Sequence, residues 1–229
     1  MIIGADLHQN PDVPLSPNFK ALIDLARSTN DSAAILGDFI QGLPWGANSW
    51  RGAPCVQEIR DYVAGVNLCL IWGNHDPPDL LEMLFGDLEN VTISRTIELS
   101  YRDTKIILSH GHEFGPLWSW LQYGAPWFTN LMARHFPSRW YRFTKRMGWI
   151  PSETKAEKRY HAVVRAVMSG ALRYCTKNSC RYIHGHTHKK TCVKEQFSYG
   201  MDYVVMSLDP LDTGCYLMVQ QDITWGMLP

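Results

Sequence analysis

The chain has 229 residues, 45% of them hydrophobic and 19% charged, which excludes a disordered polyelectrolyte and supplies enough apolar mass for one folded domain. The formal net charge is zero, yet residues 132–190 carry 14 Lys and Arg against 2 Asp and Glu, while residues 1–131 carry 7 against 15. So local a basic block predicts either an anionic partner near that segment or a solvated helical face.

The apolar run Ile2–Ala5, ending at Asp6, predicts a buried strand. Ser16-Pro17 is a helix start, with Ser as N-cap and Pro in the first turn, and Phe19, Leu22, Ile23 and Ala26 follow on one face. Ala33–Leu36 is a second strand, ending at Gly37-Asp38, and residues 57–64 predict a helix. Leu68–Trp72 is a third strand, followed by Gly73-Asn74-His75-Asp76 and a helix over 77–85. Thr92–Leu99 and Lys105–Leu108 predict strands, the second ending at Ser109-His110. A long helix is expected over 153–175, with Tyr160, Val164, Val167 and Ala171 on one face, then a strand Arg181–Ile183 and several more between Thr191 and Trp225. Strand and helix alternate in the first ninety residues, which predicts α/β layering; the strand-rich tail predicts a second sheet. The whole chain, 1–229, reads as one domain.

No uninterrupted apolar run is long enough to span a bilayer, and Met1 to Asp6 has no charged n-region, so a cytoplasmic location is the default expectation. The six cysteines form no Cys-x-x-Cys pair and read as reduced, mostly buried thiols.

Metal-competent side chains recur where the strands end: Asp6 and His8, Asp38, Asn74 and His75, His110 and His112, His186 and His188. Open α/β sheets place ligand sites at that edge. The i, i+2 spacing of Asp6/His8 and of His186/His188 puts both side chains on one side if the backbone is extended. Glycines 4, 37, 73, 111 and 185 are expected to permit tight turns close by.

This layout resembles the calcineurin-like metallophosphoesterase superfamily, whose pattern reads D-x-H, G-D, G-N-H-D/E, H and G-H-x-H. Here it stands as Asp6-Leu7-His8, Gly37-Asp38, Gly73-Asn74-His75-Asp76, His110-Gly111-His112 and Gly185-His186-Thr187-His188. The resemblance implies a two-sheet β-sandwich flanked by helices in αββα layers. It implies two divalent ions, one held by Asp6, His8 and His188, the other by Asn74, His110 and His186, with Asp38 bridging. Manganese is the first expectation, with iron or zinc as alternatives; carboxylate and imidazole donors suit such ions better than calcium. Two ions about 3.5–4 Å apart can activate a shared water and neutralise charge on a phosphoryl group. Asp38, Asn74 and His75 would form the catalytic set, with His75 protonating or hydrogen-bonding the leaving oxygen. His110, directly after its strand, is the preferred ligand over His112, which is placed near the substrate. In the protein-phosphatase branch an aspartate three residues after the bridging one orients the equivalent of His75. Here that position is Gln41, so the orientation of His75 is left open and a protein-phosphatase reading weakens.

Residues 114–178 read as a helical insertion or lid, with ten aromatic residues between Trp118 and Trp149. In order and outline the chain is similar to the bacterial UDP-diacylglucosamine hydrolases, which carry a helical lid at this place. Arg139 and Arg142 are candidate substrate contacts for a phosphorylated small molecule or a lipid-linked pyrophosphate. Packing of the aromatics onto the sheet explains the composition equally well; contact with a membrane surface or nucleic acid ranks behind both. The functional expectation is a phosphodiesterase or pyrophosphatase. The alternatives are a phosphomonoesterase or protein phosphatase, and a non-catalytic metal-binding scaffold on the same fold.

Overall fold

The computed structural model describes residues 1–42, 45–115, 153–197, 200–220 and 222–228, together with Arg139, Arg142 and Arg146. Two sheets carry the fold. The first has the order β11-β10-β1-β2-β3-β4. Its parallel centre is β1 (Ile2–Gly4), β2 (Ala33–Leu36), β3 (Leu68–Ile71) and β4 (Val91–Ser94). β10 (Cys215–Val219) and β11 (Ile223–Met227) extend it antiparallel. The second sheet has the order β5-β6-β7-β9-β8, from β5 (Thr96–Tyr101), β6 (Thr104–Ser109), β7 (Cys180–His184), β8 (Thr191–Phe197) and β9 (Gly200–Ser207). β6, β7 and β9 run parallel; β5 and β8 close the edges antiparallel.

Alternation along the strands sorts the core into three layers, because successive side chains of a strand point to opposite faces. Ile2, Ala33, Ile35, Leu68 and Leu70 face a cluster shared with the helices α1 (Pro17–Thr29), α2 (Gly46–Arg51), α3 (Pro54–Tyr62) and α4 (Pro78–Phe85). Their neighbours Ile3, Ala34, Leu36 and Ile71 face the other way, onto Ile106, Leu108 and Ile183 of the second sheet. Ile107 and Tyr182 point out of that sheet to meet Ala171 and Cys175 of α5 (Glu153–Asn178). The result is the αββα layering. Burial of each large aliphatic side chain in these layers is worth about 1.5–3 kcal/mol.

α1 begins as its sequence predicts, with Ser16 at the N-cap position and Pro17 in the first turn, but the Ser16 side chain makes no capping hydrogen bond. Instead the Ser16 N–H donates to Gln9 Oε1, 3.1 Å away. The helix expected over 57–64 starts earlier, at Pro54, and the short α2 before it has no periodic signature in the sequence. The run Thr92–Leu99, read as one strand, is two. β4 pairs with β3 in the first sheet and β5 with β6 in the second, so the chain changes sheet at Arg95.

Of the segment read as a lid, α5 covers the outer face of the second sheet, with Val167, Ala171 and Cys175 buried and Tyr160 and Val164 half-buried. Arg139, Arg142 and Arg146 are helical and exposed. The aromatic stretch from Trp118 to Trp149 lies outside the described residues. No described helix is long and apolar enough to cross a membrane.

Candidate metal centre

Every metal-competent residue singled out in the sequence follows the C-terminal end of a central strand. Asp6 and His8 follow β1, Asp38 follows β2, Asn74 and His75 follow β3, His110 and His112 follow β6, and His186 and His188 follow β7. The i, i+2 pairs are not extended, however. Asp6, His8, Asp38, His186 and His188 all sit at positive φ, between 47° and 63°. They lie beyond the strand ends, in turns where the left-handed conformation swings the side chains inward. Such a conformation costs on the order of 1–3 kcal/mol for a non-glycine residue and clusters at functional sites. Close approach also demands glycine here. Gly37, at φ 77°, leaves no room for a Cβ against the His110 ring, and a Cβ on Gly73 would overlap the Asp38 carboxylate.

Three groups of donors result. Asp6, His8 and His188 form one, and Asp38, His110 and His186 a second, with a third, His8, Asp38 and His75, overlapping both; the donor atoms of each group lie within 4.8 Å of one another. In the first, His8 Nε2 and His188 Nε2 face each other at 3.3 Å, and His188 Nε2 is 3.6 Å from Asp6 Oδ1. In the second, His110 Nε2 lies 3.1 Å from His186 Nδ1, 3.0 Å from Asn74 Oδ1 and 3.4 Å from Asp38 Oδ2. The same Asp38 oxygen is 3.9 Å from His8 Nε2, so it stands between the groups. The groups of Asp6, His8 and His188 and of Asp38, His110 and His186 each draw donors from both sheets.

The supporting hydrogen bonds orient these donors. His110 Nδ1–H donates to the Leu36 carbonyl at 2.9 Å, which turns its Nε2 toward the centre. The His186 N–H bonds both Asp6 oxygens, at 3.1 and 2.9 Å, and the His75 N–H bonds Asp38 Oδ1 at 2.8 Å. Two features were not assigned a role from sequence. Asp76 is wholly buried and accepts from the N–H groups of Gly73 and Phe39, both at 2.6 Å, and of Asp38 at 3.1 Å. It ties the loop after β3 to the turn after β2; its place as the last residue of Gly73-Asn74-His75-Asp76 was the available signal. Glu113 accepts from Ser109 Oγ and from the Tyr182 hydroxyl, both at 2.5 Å, and its other oxygen is 3.8 Å from His112 Nδ1. That nitrogen is buried with no hydrogen-bond partner among the described residues.

His112 is in none of these donor groups. Its ring packs 5.5 Å from Trp72, and the exposed Arg95 guanidinium lies 5.8 Å over the same indole. His184, read as an ordinary strand residue, is the buried last residue of β7, its Nδ1 2.8 Å from the Gly185 carbonyl. Arg139 and Arg142 are placed only as exposed helical residues.

The sequence pattern of calcineurin-like phosphoesterases matches residues 2–190. The chain belongs to the calcineurin-like phosphoesterase family. No curated protein matches it. Solved structures similar to this phosphoesterase include an archaeal phosphodiesterase, 17% identical with all of both chains covered and a TM-score of 0.49. Another is the E. coli phosphoesterase Yfce, at 14% identity, 100% and 98% coverage and a TM-score of 0.44. A third is a dimetal phosphatase from Danio rerio, at 12% identity, 99% and 95% coverage and a TM-score of 0.45.

Calcineurin-like phosphoesterases typically bind divalent metals, and the electrostatics of this member fit such ions. Burial raises Asp6 well above the usual carboxylate range. Burial and the Asp38 charge push Asp76 up to about 8. Asp38 withstands its burial and stays well below, because His110, His75 and His8 surround it. Burial would depress His110, but Asp38 and Asp6 hold it up at about 10. An imidazolium therefore supplies the positive charge that these carboxylates require. Burial keeps His186 well below the usual imidazole value and His188 down at about 4, so both are neutral and ready to donate. A divalent ion held by His110 would have to displace that proton. Uptake is expected to release at least one proton near neutral pH, and affinity to rise roughly tenfold per pH unit between about pH 6 and 8. Titration calorimetry in buffers of different ionisation enthalpy measures this; zero net proton release would contradict the assignment of His110 as a ligand.

Proposed function

We propose that this chain is a dinuclear metal-dependent hydrolase that cleaves a phosphodiester or pyrophosphate bond. Asp6, His8 and His188 would hold one ion, Asn74, His110 and His186 the other, and Asp38 would touch both. When bound, the ions supply an activated water and neutralise charge on the phosphoryl group. The residues do the rest. Asp38, fixed by the His75 N–H, sets the spacing of the two sides. His75 offers a ring nitrogen to the leaving oxygen, and the neutral His186 and His188 donate lone pairs. The observation that carries the reading is the pair of donor groups converging on Asp38.

A nucleotide- or lipid-linked substrate is supported by the neighbouring Trp72, with Arg95 over one side and His112 packed against it. An indole beside a cation suits a substrate that joins an apolar or planar group to an anionic one. Manganese is the metal of first choice for this donor set, with iron or zinc as alternatives.

The test is hydrolysis of bis(p-nitrophenyl) phosphate and of p-nitrophenyl phosphate, each with manganese and with chelator. Manganese-dependent cleavage of the diester is expected. Cleavage of the monoester alone would replace the reading with a phosphomonoesterase. No cleavage of either by protein holding two ions per chain would favour the non-catalytic scaffold.

A further inference from the structure

We infer that Gln41 is a positioning residue that places the proton of His75 on Nε2, through an amide bridge to the metal-ligand candidate His8. The inference rests on the reading of His8 as a ligand. It supplies what the sequence leaves open, namely what orients His75 in a chain that has no aspartate at position 41.

The bridge is built from both ends. Gln41 Oε1 lies 2.9 Å from His8 Nδ1, and Gln41 Nε2 lies 2.9 Å from His75 Nδ1. The two rings stand edge to face, 5.1 Å apart at 85°. The backbone beneath is pinned: Gln41 N–H donates to the Gln9 carbonyl at 2.8 Å, and the Gln41 carbonyl accepts from Trp50 Nε1 at 3.0 Å. The side chain thus starts from a held position.

Proton placement follows step by step. His8 turns Nε2 toward His188 and Asp38. A neutral ring that offers its Nε2 lone pair carries its proton on Nδ1. That proton needs an acceptor, which makes the facing amide atom the Gln41 oxygen. The other end of the amide is then NH₂, a donor only, and His75 Nδ1 must accept. The proton of the neutral His75 ring is therefore on Nε2, presented as an N–H donor. A carboxylate at position 41 would impose the opposite arrangement, drawing an N–H toward itself from His75 Nδ1.

This bears on substrate class. In hydrolysis the water oxygen bonds to phosphorus, the bond to the leaving oxygen breaks, and the leaving group departs as an anion that solvent can protonate. A neutral N–H donor stabilises that developing charge by hydrogen bonding, and an amide at position 41, unlike a carboxylate there, does not hold a proton on the ring's other nitrogen to promote transfer. Such help suffices for stabilised leaving groups, phosphoanhydrides and aryl esters, and serves alkyl esters poorly.

The experiment is ¹⁵N–¹H NMR of the histidine side chains in the zinc-loaded protein and again with chelator, for the natural chain and for Gln41→Glu. Glutamate keeps the length and the acceptor for His8 but turns the other end from donor to acceptor. The expected result is a bare Nδ1 and protonated Nε2 for His75 in the natural chain, and a proton on Nδ1 in Gln41→Glu. The ratio of aryl to alkyl diester cleavage is expected to change in the variant by roughly tenfold or more, in kcat rather than KM. A proton on His75 Nδ1 in the natural chain overturns the inference, as does an unchanged spectrum and ratio in the variant. If Gln41→Glu does not fold, Gln41→Met serves: it removes both hydrogen bonds at similar length, and an unaltered His75 tautomer in it overturns the inference too. Failure of the natural chain to bind zinc would sink the metal-centre reading instead, and the spectrum taken with chelator still reports on Gln41.

Discussion

Replacing Asp38 by asparagine is expected to lower turnover by about 10³-fold or more, the scale of losing a preorganised electrostatic contact at a reacting centre, while leaving the fold intact. The amide keeps the volume and can still accept the His75 N–H through one oxygen. It loses the second oxygen, which stands 3.4 Å from His110 Nε2 and 3.9 Å from His8 Nε2. An NH₂ pointed at those nitrogens competes with a cation for the same lone pairs. Two effects on stability oppose: removal of the charge relieves its repulsion of the buried Asp6 and Asp76 carboxylates but loses its attraction to His110, His75 and His8. The checks are metal content by elemental mass spectrometry, the melting temperature with chelator, and turnover. Full metal content with turnover retained would falsify the assignment of Asp38 as the shared ligand.

Asp76→Ala is expected to act the other way, first on stability. Its carboxylate is wholly buried and satisfies the N–H groups of Gly73, Phe39 and Asp38. Alanine strands these donors away from water, and each buried unsatisfied group costs about 1–3 kcal/mol. A total of about 3 kcal/mol or more is expected, which for a chain of this size lowers the melting temperature by roughly 10 °C. Loosening the turn that carries Asp38 should also weaken metal binding by about 10–100-fold, as loss of a ligand's supporting contact typically does. Urea unfolding in the presence of chelator separates the two effects. A change below about 1 kcal/mol there would mean that the tie between the two loops is not made by this carboxylate.

Much of this architecture was legible in the amino acids. Ile2–Ala5, Ala33–Leu36 and Leu68–Trp72 read as strands because both faces of the first sheet are covered, so the runs are apolar without alternation. The donors were legible because each block follows its strand directly. Three features were not. The change of sheet at Arg95 happens within one residue and leaves the β-like pattern unbroken. The side-by-side placement of Asp6 with His8 was anticipated through extended backbone, but a left-handed turn brings the same pair inward, and spacing alone cannot tell the two apart. The third was the packing partner of α5, a helix read as part of a helical insertion or lid. Its periodic face, Val167 and Ala171, signals burial without naming the neighbour, which proves to be the second sheet. Gln41 is a case of a different kind. The departure at that position was visible, whereas its partner His75 lies 34 residues away and only the fold brings them together.

The drawing of two of the donor groups from both sheets has a consequence beyond chemistry. An ion bound there would be a further cross-link between the two halves of the sandwich, beside the His110–Leu36 and His186–Asp6 hydrogen bonds that already join them. Loading adds binding energy to the assembled form alone, about 2.7 kcal/mol at a hundredfold excess over the dissociation constant. Loss of metal then does more than silence the centre. It would remove that added stability, so resistance to a protease, measured with and without chelator, would report on metal loading.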